Sequence, residues 1–353
     1  MPTFCNRALT FAARRQGVES VSELPEDDPL RKAAEAAKEY AAQSQADNTV
    51  TAYESDWAHF EKWCSARCVP ALPSTPTIVA LYIAEIAKGW NGETPMKPAT
   101  ILRRLAAINA KHKRELQFLP ASQKYPEISV VVQGIMRAKG STQVGKRPMS
   151  VKLAGTMLDQ ALTFSPIAVA RDKAILLLGL AGAFRRSELA GIMLEHMDWH
   201  KEGITIRIGR SKTDQTGKGR EVEIPYGSSD KTCPVLAVAD WLGVAGLDIK
   251  GQGPLLRPVR RDGTIKAKPM NPASISYIIR KMAESAGLND KKKKKYNYSG
   301  HSLRAGFVTA ASAGGATDRQ IMRQTGHKSH QMIDRYSRRG QLDRRAAAQK
   351  VGF

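Results

Sequence analysis

Two imidazoles, several guanidiniums and one phenol gather near the C-terminal end of this chain. His301 and Arg304 form a His-x-x-Arg pair, Gly326-His327 follows, and Tyr336 lies nine residues past that histidine. Residues three apart on a helix share a face, so His301 and Arg304 can address the same phosphate. Tyr336 sits among Asp334, Arg335, Arg338 and Arg339. The chemistry these groups suit is attack on a phosphodiester. Its transition state concentrates negative charge on equatorial oxygens, where fixed cations and donors act most strongly. A tyrosine oxygen can serve as the nucleophile and become covalently linked.

Further upstream, Arg185 lies in Gly182-Ala-Phe-Arg-Arg-Ser-Glu-Leu189, just after the apolar run from Ala174 to Phe184. An arginine at the end of a buried helix can be held rigidly enough for bidentate phosphate contact. Arg186 is the neighbouring candidate and is expected to point away. Glu188 is expected to orient Arg185 or a nearby imidazole; the plainer reading is a surface carboxylate. Lys212, in Gly209-Arg-Ser-Lys-Thr-Asp214, stands on a hairpin tip from which an amine can reach a groove and protonate a leaving oxygen. Arg210 and Lys218 compete with it for that role. A phenol has an ordinary pKa near about 10, so Tyr336 needs a cationic pocket or a base. His301 and His327 both qualify, and the sequence does not choose between them.

Taken in order, these segments resemble the tyrosine site-specific recombinases of the phage integrase family, the Cre-like ones above all. The likeness runs from about residue 48 to 345. It is tightest at Arg171-Asp-Lys-Ala, Phe184-Arg-Arg-Ser-Glu-Leu189, Ile208-Gly-Arg-Ser-Lys-Thr213, Ser299-Gly-His-Ser-Leu-Arg-Ala-Gly306, and Thr325-Gly-His327 with Tyr336. Cre carries tryptophan where this chain has His327, although histidine is common there in the wider family. The resemblance implies that Arg185, His301, Arg304 and His327 hold the scissile phosphate and that Lys212 is the general acid for the departing 5′ oxygen. It implies that Tyr336 becomes joined to the 3′ phosphate and that Glu188 supports the site from behind. It further implies strand exchange through a Holliday junction, double-stranded DNA as partner, a homotetramer on two sites, and no metal or nucleotide cofactor. The implied fold is mainly α with a small β-sheet, a two-domain C-shaped clamp of a helical core-binding domain and an α+β catalytic domain. The segment Gly340–Phe353, with Val351 and Phe353 as anchors, would dock onto a neighbouring subunit. A type IB-like topoisomerase or telomere resolvase would use the same chemistry, and a non-catalytic DNA-binding protein is the reading from another class.

Composition agrees with a polyanion partner. The 353 residues carry 55 Lys and Arg against 33 Asp and Glu, a formal charge of +22, and such a balance favours nucleic acid. The longest apolar run is far short of the roughly 20 residues that cross a bilayer, and Arg14-Arg15 precede no apolar signal core. A soluble cytoplasmic protein of bacterial or mobile-element origin is therefore expected, with no membrane partner and no small-molecule substrate. The four cysteines include Cys64 and Cys68, which lack a second ligand pair and so do not make a zinc site. Packed, reduced thiols are expected.

The elements that must position these groups can be read from periodicity and punctuation. Residues 1–47 read as an extension, with an alanine-rich helix from Leu30 to Gln45, unlike the small arm-binding domain of lambda-type integrases. That favours a simple system acting on short inverted-repeat sites. A helical core DNA-binding domain is expected over 48–138, with helices from Asn48, over Thr77–Lys88, Ala99–Glu115 and Ile128–Ala138. Its third helix carries Arg103, Arg104, Lys111 and Lys113, candidates for phosphate contact. Residues 139–149 read as a basic linker, with Lys146 and Arg147 as further contacts and Arg210 as another on the hairpin. The catalytic domain is expected over 150–353. It has helices at 150–162, 168–182, from Ser187, at 233–245, from Asn271-Pro272 and from a Thr317–Gln320 capping box. Ile204–Ile208 and Glu221–Ile224 alternate as a hairpin should. The five lysines 291–295 read as a solvated loop.

Overall fold

A computed structural model describes residues 25–43, 47–140, 146–160, 165–209, 219–290, 297–327, 329–330 and 333. The chain divides into two compact units, Met1–Gln143 and Val144–Phe353, and that division falls within the basic stretch 139–149.

In the first unit, helix α1 (Pro29–Gln43) precedes α2 (Asp47–Ser65), α3 (Pro76–Lys88), α4 (Pro98–Leu116) and α5 (Pro126–Lys139). The last three each open on a proline at the first helical position, where the missing N–H costs nothing. Helix α2 packs on α4 and α3 on α5. Their shared core holds Trp57, Phe60, Trp63 and Cys64 of α2, Tyr82, Ile83 and Ile86 of α3, and Leu105 and Ile108 of α4. Leu81 of α3 is 60% exposed, because Val79 and Ile83 take the inward face on either side of it. Cys68, expected to be packed, is exposed beyond the end of α2 with a positive φ.

The basic helix α4 also needs a correction. Arg104 does not face solvent: it is buried, its Nη1–H donates to the Tyr82 hydroxyl at 2.7 Å, and its Nε lies 3.5 Å from Asp56 Oδ1. Arg103 is half exposed and grips Asp56 through Nε and Nη2 at 2.7 and 3.0 Å. Asp56 is itself buried, so the two arginines neutralise a carboxylate that could not otherwise be inside. The Tyr82 hydroxyl, accepting from Arg104, donates to His59 Nδ1 at 3.0 Å, and His59 Nε2–H donates to Glu93 at 3.0 Å. Lys111 pairs with Glu115 at 3.2 Å, while Lys113 is exposed. Of the four candidates on α4, Arg104 belongs to the core.

The second unit contains α6 (Val151–Asp159), α7 (Pro166–Ala181), the short α8 (Arg186–Ala190), and strands β1 (Met197–His200), β2 (Gly203–Ile208) and β3 (Arg220–Pro225). Helices α9 (Pro234–Ala245), α10 (Pro272–Ser285), α11 (Gly300–Ala313) and α12 (Asp318–Thr325) follow. The strands form one antiparallel sheet in the order β1-β2-β3, with Ile204 opposite Ile224, Ile206 opposite Val222 and Ile208 opposite Arg220. Alternate residues of β2 and β3 face inward, so Ile204, Ile206, Ile208, Val222 and Ile224 join the core while Arg207, Glu221 and Glu223 face out. Strand β1 had no clear signal in the sequence, being four residues long with only Met197 fully inward.

Helix α7 is the central post of this unit. Ala174 through Leu180 are all buried, and α9 packs along one side of it and α11 along another. Where the chain leaves the basic stretch it runs against α11. Arg147 N–H donates to the Asn297 carbonyl at 3.0 Å and Met149 N–H to the Ser302 carbonyl at 2.9 Å. A side chain at Gly306 would sit 1.9 Å from the Met149 oxygen, so only glycine lets the two backbones approach.

Candidate active site

Four segments far apart in sequence converge at the C-terminal end of α7. The first is the turn after that helix. Ala183 adopts φ +50, a left-handed conformation costing a non-glycine residue about 1–2 kcal/mol. It turns the Ala183 carbonyl toward Arg304 Nη1, 2.7 Å away. Arg185 then caps α8, and Glu188, three residues on, reaches back so that its carboxylate accepts from the Arg185 N–H at 2.9 Å and from Arg185 Nη1 at 2.6 Å. The Glu188 side chain is only 3% exposed; it is no ordinary surface carboxylate. Arg186 is exposed and donates to Ser276 Oγ at 3.2 Å, with its charge still reaching His301.

The second segment is β3, which supplies a residue that the sequence reading passed over. Arg220 Nη2 donates to Glu188 Oε2 at 2.9 Å and Nη1 to Oε1 at 3.3 Å, while Nε reaches the Gln324 carbonyl at 3.4 Å. The available signal was parity: Arg220 is in phase with Val222 and Ile224, on the inward face of the strand, where a cation requires a buried partner.

The third segment is α11 with the residues that lead into it. Ser299 opens the helix through a capping box with Ser302, and His301 and Arg304 lie one turn apart on it. The approach is fixed from below by Asn289, whose amide accepts from Tyr298 N–H at 2.9 Å and donates to the Tyr298 carbonyl at 3.0 Å. A buried side chain thus pairs with the backbone as a strand would, and pins the chain just before His301.

The fourth segment is α12 and its exit. Thr317 and Gln320 form the expected capping box. Gly326 terminates the helix at φ +67, and a Cβ there would press on the Arg220 guanidinium at 3.0 Å. Its carbonyl accepts from Arg185 Nη2 at 3.4 Å. His327, 6% exposed, accepts at Nε2 from Arg304 Nε at 3.3 Å. Its Nδ1 lies 3.0 Å from Thr325 Oγ1, which is 2.6 Å from the Ile321 carbonyl. Because the arginine can only donate, Nε2 has no proton. Nδ1–H therefore donates to Thr325, whose hydroxyl hydrogen goes to Ile321.

Electrostatics follow from this arrangement. Burial alone would push the Glu188 carboxyl up, but hydrogen bonding and attraction from Arg220, then from Arg185, hold it at about 2. Burial and then the charges of Arg304, Arg185 and Arg220 drive His327 down to about 3. His301 is lowered too, by desolvation and by Arg304 and Arg186. With both imidazoles neutral, Arg185, Arg220 and Arg304 outnumber the Glu188 carboxylate among the described residues, and the cluster keeps an excess of positive charge where a phosphate would enter.

The structure therefore joins Arg185 to Glu188 and Arg304 to His327 by direct contact and links the two pairs through the Gly326 carbonyl, with His301 one turn from Arg304. Lys212, Arg210, Lys218, Tyr336 and the lysine run 291–295 lie outside the described residues, as does the segment Gly340–Phe353. Lys146 is half-buried and Arg147 exposed.

Comparisons with known proteins place this geometry. The sequence model of the phage integrase family matches residues 153–341. The integrase/recombinase xerD homolog of Selenomonas ruminantium is 34% identical over 309 residues, covering 87% of this chain and 86% of that protein. The tyrosine recombinase XerC of Corynebacterium efficiens is 27% identical, over 83% of this chain and 81% of its own. Among solved structures, the XerH site-specific recombinase bound to a palindromic difH substrate, a post-cleavage complex, aligns with a TM-score of 0.60 at 15% identity. That alignment covers 97% of this chain and 88% of the other. It establishes a shared fold.

Proposed function

This chain belongs to the phage integrase family and is a tyrosine recombinase, and we propose that it cuts and rejoins DNA at short inverted-repeat sites through a 3′-phosphotyrosyl intermediate and a Holliday junction. The observation that carries the reading is the closed set of contacts Ala183–Arg304–His327 and Gly326–Arg185–Glu188. It holds two guanidiniums and an imidazole in fixed positions on neighbouring segments, and rigidity is what lets donors stabilise a transition state without reorganising.

In this reading Arg185 and Arg304 bind the non-bridging oxygens of the scissile phosphate, with His301 as a further donor and His327, which accepts from Arg304, holding that guanidinium in place. The Tyr336 oxygen attacks phosphorus, forming a P–O bond to tyrosine while the bond to the 5′ oxygen breaks. Lys212 delivers a proton to that oxygen, and the phenol proton passes to His301 or His327. The bond energy stays in the phosphotyrosyl link, so the 5′ hydroxyl of another strand can reverse the step without an external energy source. The basic residues Arg103, Lys111, Lys113, Lys146, Arg147 and Arg210 would add sequence-independent phosphate attraction. Four copies of the chain would act on two sites, with Gly340–Phe353 docking on a neighbour.

A direct experiment is available. Duplexes enriched from a random pool by binding define the site, and two direct copies of it are placed in a supercoiled plasmid. The expected products are an excised circle and a detergent-resistant protein–DNA adduct at Tyr336, identified by peptide mass spectrometry. Relaxation without excision would instead favour a topoisomerase-like activity, and no adduct at all would refute strand cleavage.

A further inference from the structure

Arg220 is a cation at this site that the strand-exchange chemistry above does not use. It leaves β3 on the inward face, where its neighbours in phase are Val222 and Ile224, yet its side chain is only 15% exposed. Its three nitrogens each have a partner: Nη1 and Nη2 take one oxygen of Glu188 apiece, and Nε takes the Gln324 carbonyl. Gln324 is also stitched in place, its amide donating to the Ala181 carbonyl at 3.3 Å and to the Glu223 carbonyl at 3.1 Å. The guanidinium therefore touches the support of Arg185 on one side. On the other it touches the last turn of α12, two residues before Gly326.

We propose that Arg220 is a positioning residue for strand cleavage: by clamping both Glu188 oxygens and the end of α12, it sets Arg185 and the Gly326–His327 turn in register with each other. The proposal rests on the recombinase reading above and adds to it how two of its phosphate-binding groups are held at one spacing. A planar fork suits this task and an ammonium does not, because only the fork can meet two carboxylate oxygens and a third acceptor at fixed angles. Gly326 fits the same account, since any Cβ at that position would push against the fork. Strand β3 begins at Arg220, so the clamp also fixes the chain that returns from the segment bearing Lys212.

The groups facing Glu188 are Arg185 from the turn before α8 and Arg220 from β3, and behind them stand Arg304 of α11 and His327 after α12. Arg220 is the larger of the two influences that hold the Glu188 carboxyl ionised. Removing its charge lets that carboxyl rise, and once protonated it releases Arg185. Cleavage should then fail on the acid side in the variant but not in the parent protein.

The test compares the full chain with R220Q and R220K on a duplex of the enriched site, nicked beside the cut so that the covalent adduct accumulates. Expected for R220Q is a cleavage rate lower by about 10- to 100-fold, the usual loss when a group that fixes a ligating side chain is removed. DNA affinity should be nearly unchanged, and an acid limb that the parent lacks should appear. R220K should recover part of the rate and none of the acid limb should remain. Carbon-13 titration of the Glu188 carboxyl should show it rising from about 2 in R220Q. Equal rates in R220Q and the parent overturn the proposal. So do equally slow R220Q and R220K with the parental pH profile, since that is what mere structural damage gives. If R220Q does not fold, R220K decides alone, because a parental rate there refutes a two-oxygen clamp. If the parent itself forms no adduct, strand cleavage is what fails. The carboxyl titration then still judges the clamp, and a Glu188 value unmoved in R220Q ends it.

Discussion

Arg304 and His327, separated by 23 residues, share a hydrogen bond of 3.3 Å in which the guanidinium donates and the imidazole Nε2 accepts. The bond fixes more than distance. With Thr325 taking the Nδ1 proton, the ring is held neutral and in a single tautomer, so a phosphate approaching Arg304 meets an imidazole already oriented beside it. The strain at Ala183 serves the same side chain, aiming a carbonyl at the other end of the Arg304 guanidinium.

The protonation of His327 is directly measurable. Its value of about 3 lies well below the roughly 6.5 of an unfolded histidine. The fold therefore favours the neutral ring: this contribution to stability is complete above about pH 6.5 and is lost as pH falls from there toward the folded value. His112, buried and accepting from Ser74 N–H at Nε2, is lowered in the same direction. Long-range proton–nitrogen spectra of the DNA-free protein should show His327 neutral with the hydrogen on Nδ1 at pH 5. Thermal stability should decline between pH 6.5 and 4. A His327 ring that charges near 6.5 would refute the hydrogen-bond assignment.

Asp56 offers a test within the N-terminal unit. It is 2% exposed and is answered by Arg103 and Arg104. Asp56→Ala strands the buried Arg104 charge beside Tyr82 alone, and breaking one side of a buried pair costs about 3–5 kcal/mol. Urea unfolding of the variant should show a loss of that size. A change under about 1 kcal/mol, the range of exposed pairs, would mean that Arg104 faces water after all.

Much of this molecule is legible in its sequence because helices announce their ends. The Asn271-Pro272 start and the Thr317–Gln320 box both open helices where the residue chemistry says they should. The alternation in β2 and β3 is equally plain. What stayed hidden depends on partners that no local pattern names. Arg104 looks like any other cation on a basic helix until Asp56 is seen one helix away. Arg220 occupies an inward strand position whose meaning appears only when Glu188 is placed opposite. Asn289 reads as loop punctuation, and its pairing with Tyr298 spans the lysine run.

That asparagine carries its own prediction. Its side chain satisfies both backbone groups of Tyr298 in a buried setting. Asn289→Ala leaves an N–H and a carbonyl without those partners, at about 1–3 kcal/mol for each buried group. The segment that leads into Ser299 and His301 should loosen. Hydrogen exchange at Tyr298 and Ser299 should speed up by at least an order of magnitude, and cleavage should slow while DNA affinity holds. Unchanged exchange would show that other contacts fix the approach to α11.

Tyr336 and Arg185 should fail in different ways, and the contrast tests the division of roles. Tyr336→Phe removes one oxygen and no charge, so duplex affinity should stay within about twofold, since duplex attraction comes from the cations and not from one neutral hydroxyl. The covalent adduct should vanish entirely, because phenylalanine has no atom to link to phosphorus. Arg185→Ala leaves the nucleophile in place but removes a donor aimed at the developing charge, a loss of about 10²–10³ in rate. It also removes one cation from the place where a phosphate would enter, so affinity should fall as well. Gel shifts and adduct trapping on one nicked duplex separate the two patterns. Adduct formation by Tyr336→Phe would transfer the nucleophile's role to another residue and remove the chemical basis for joining the C-terminal segment to this site.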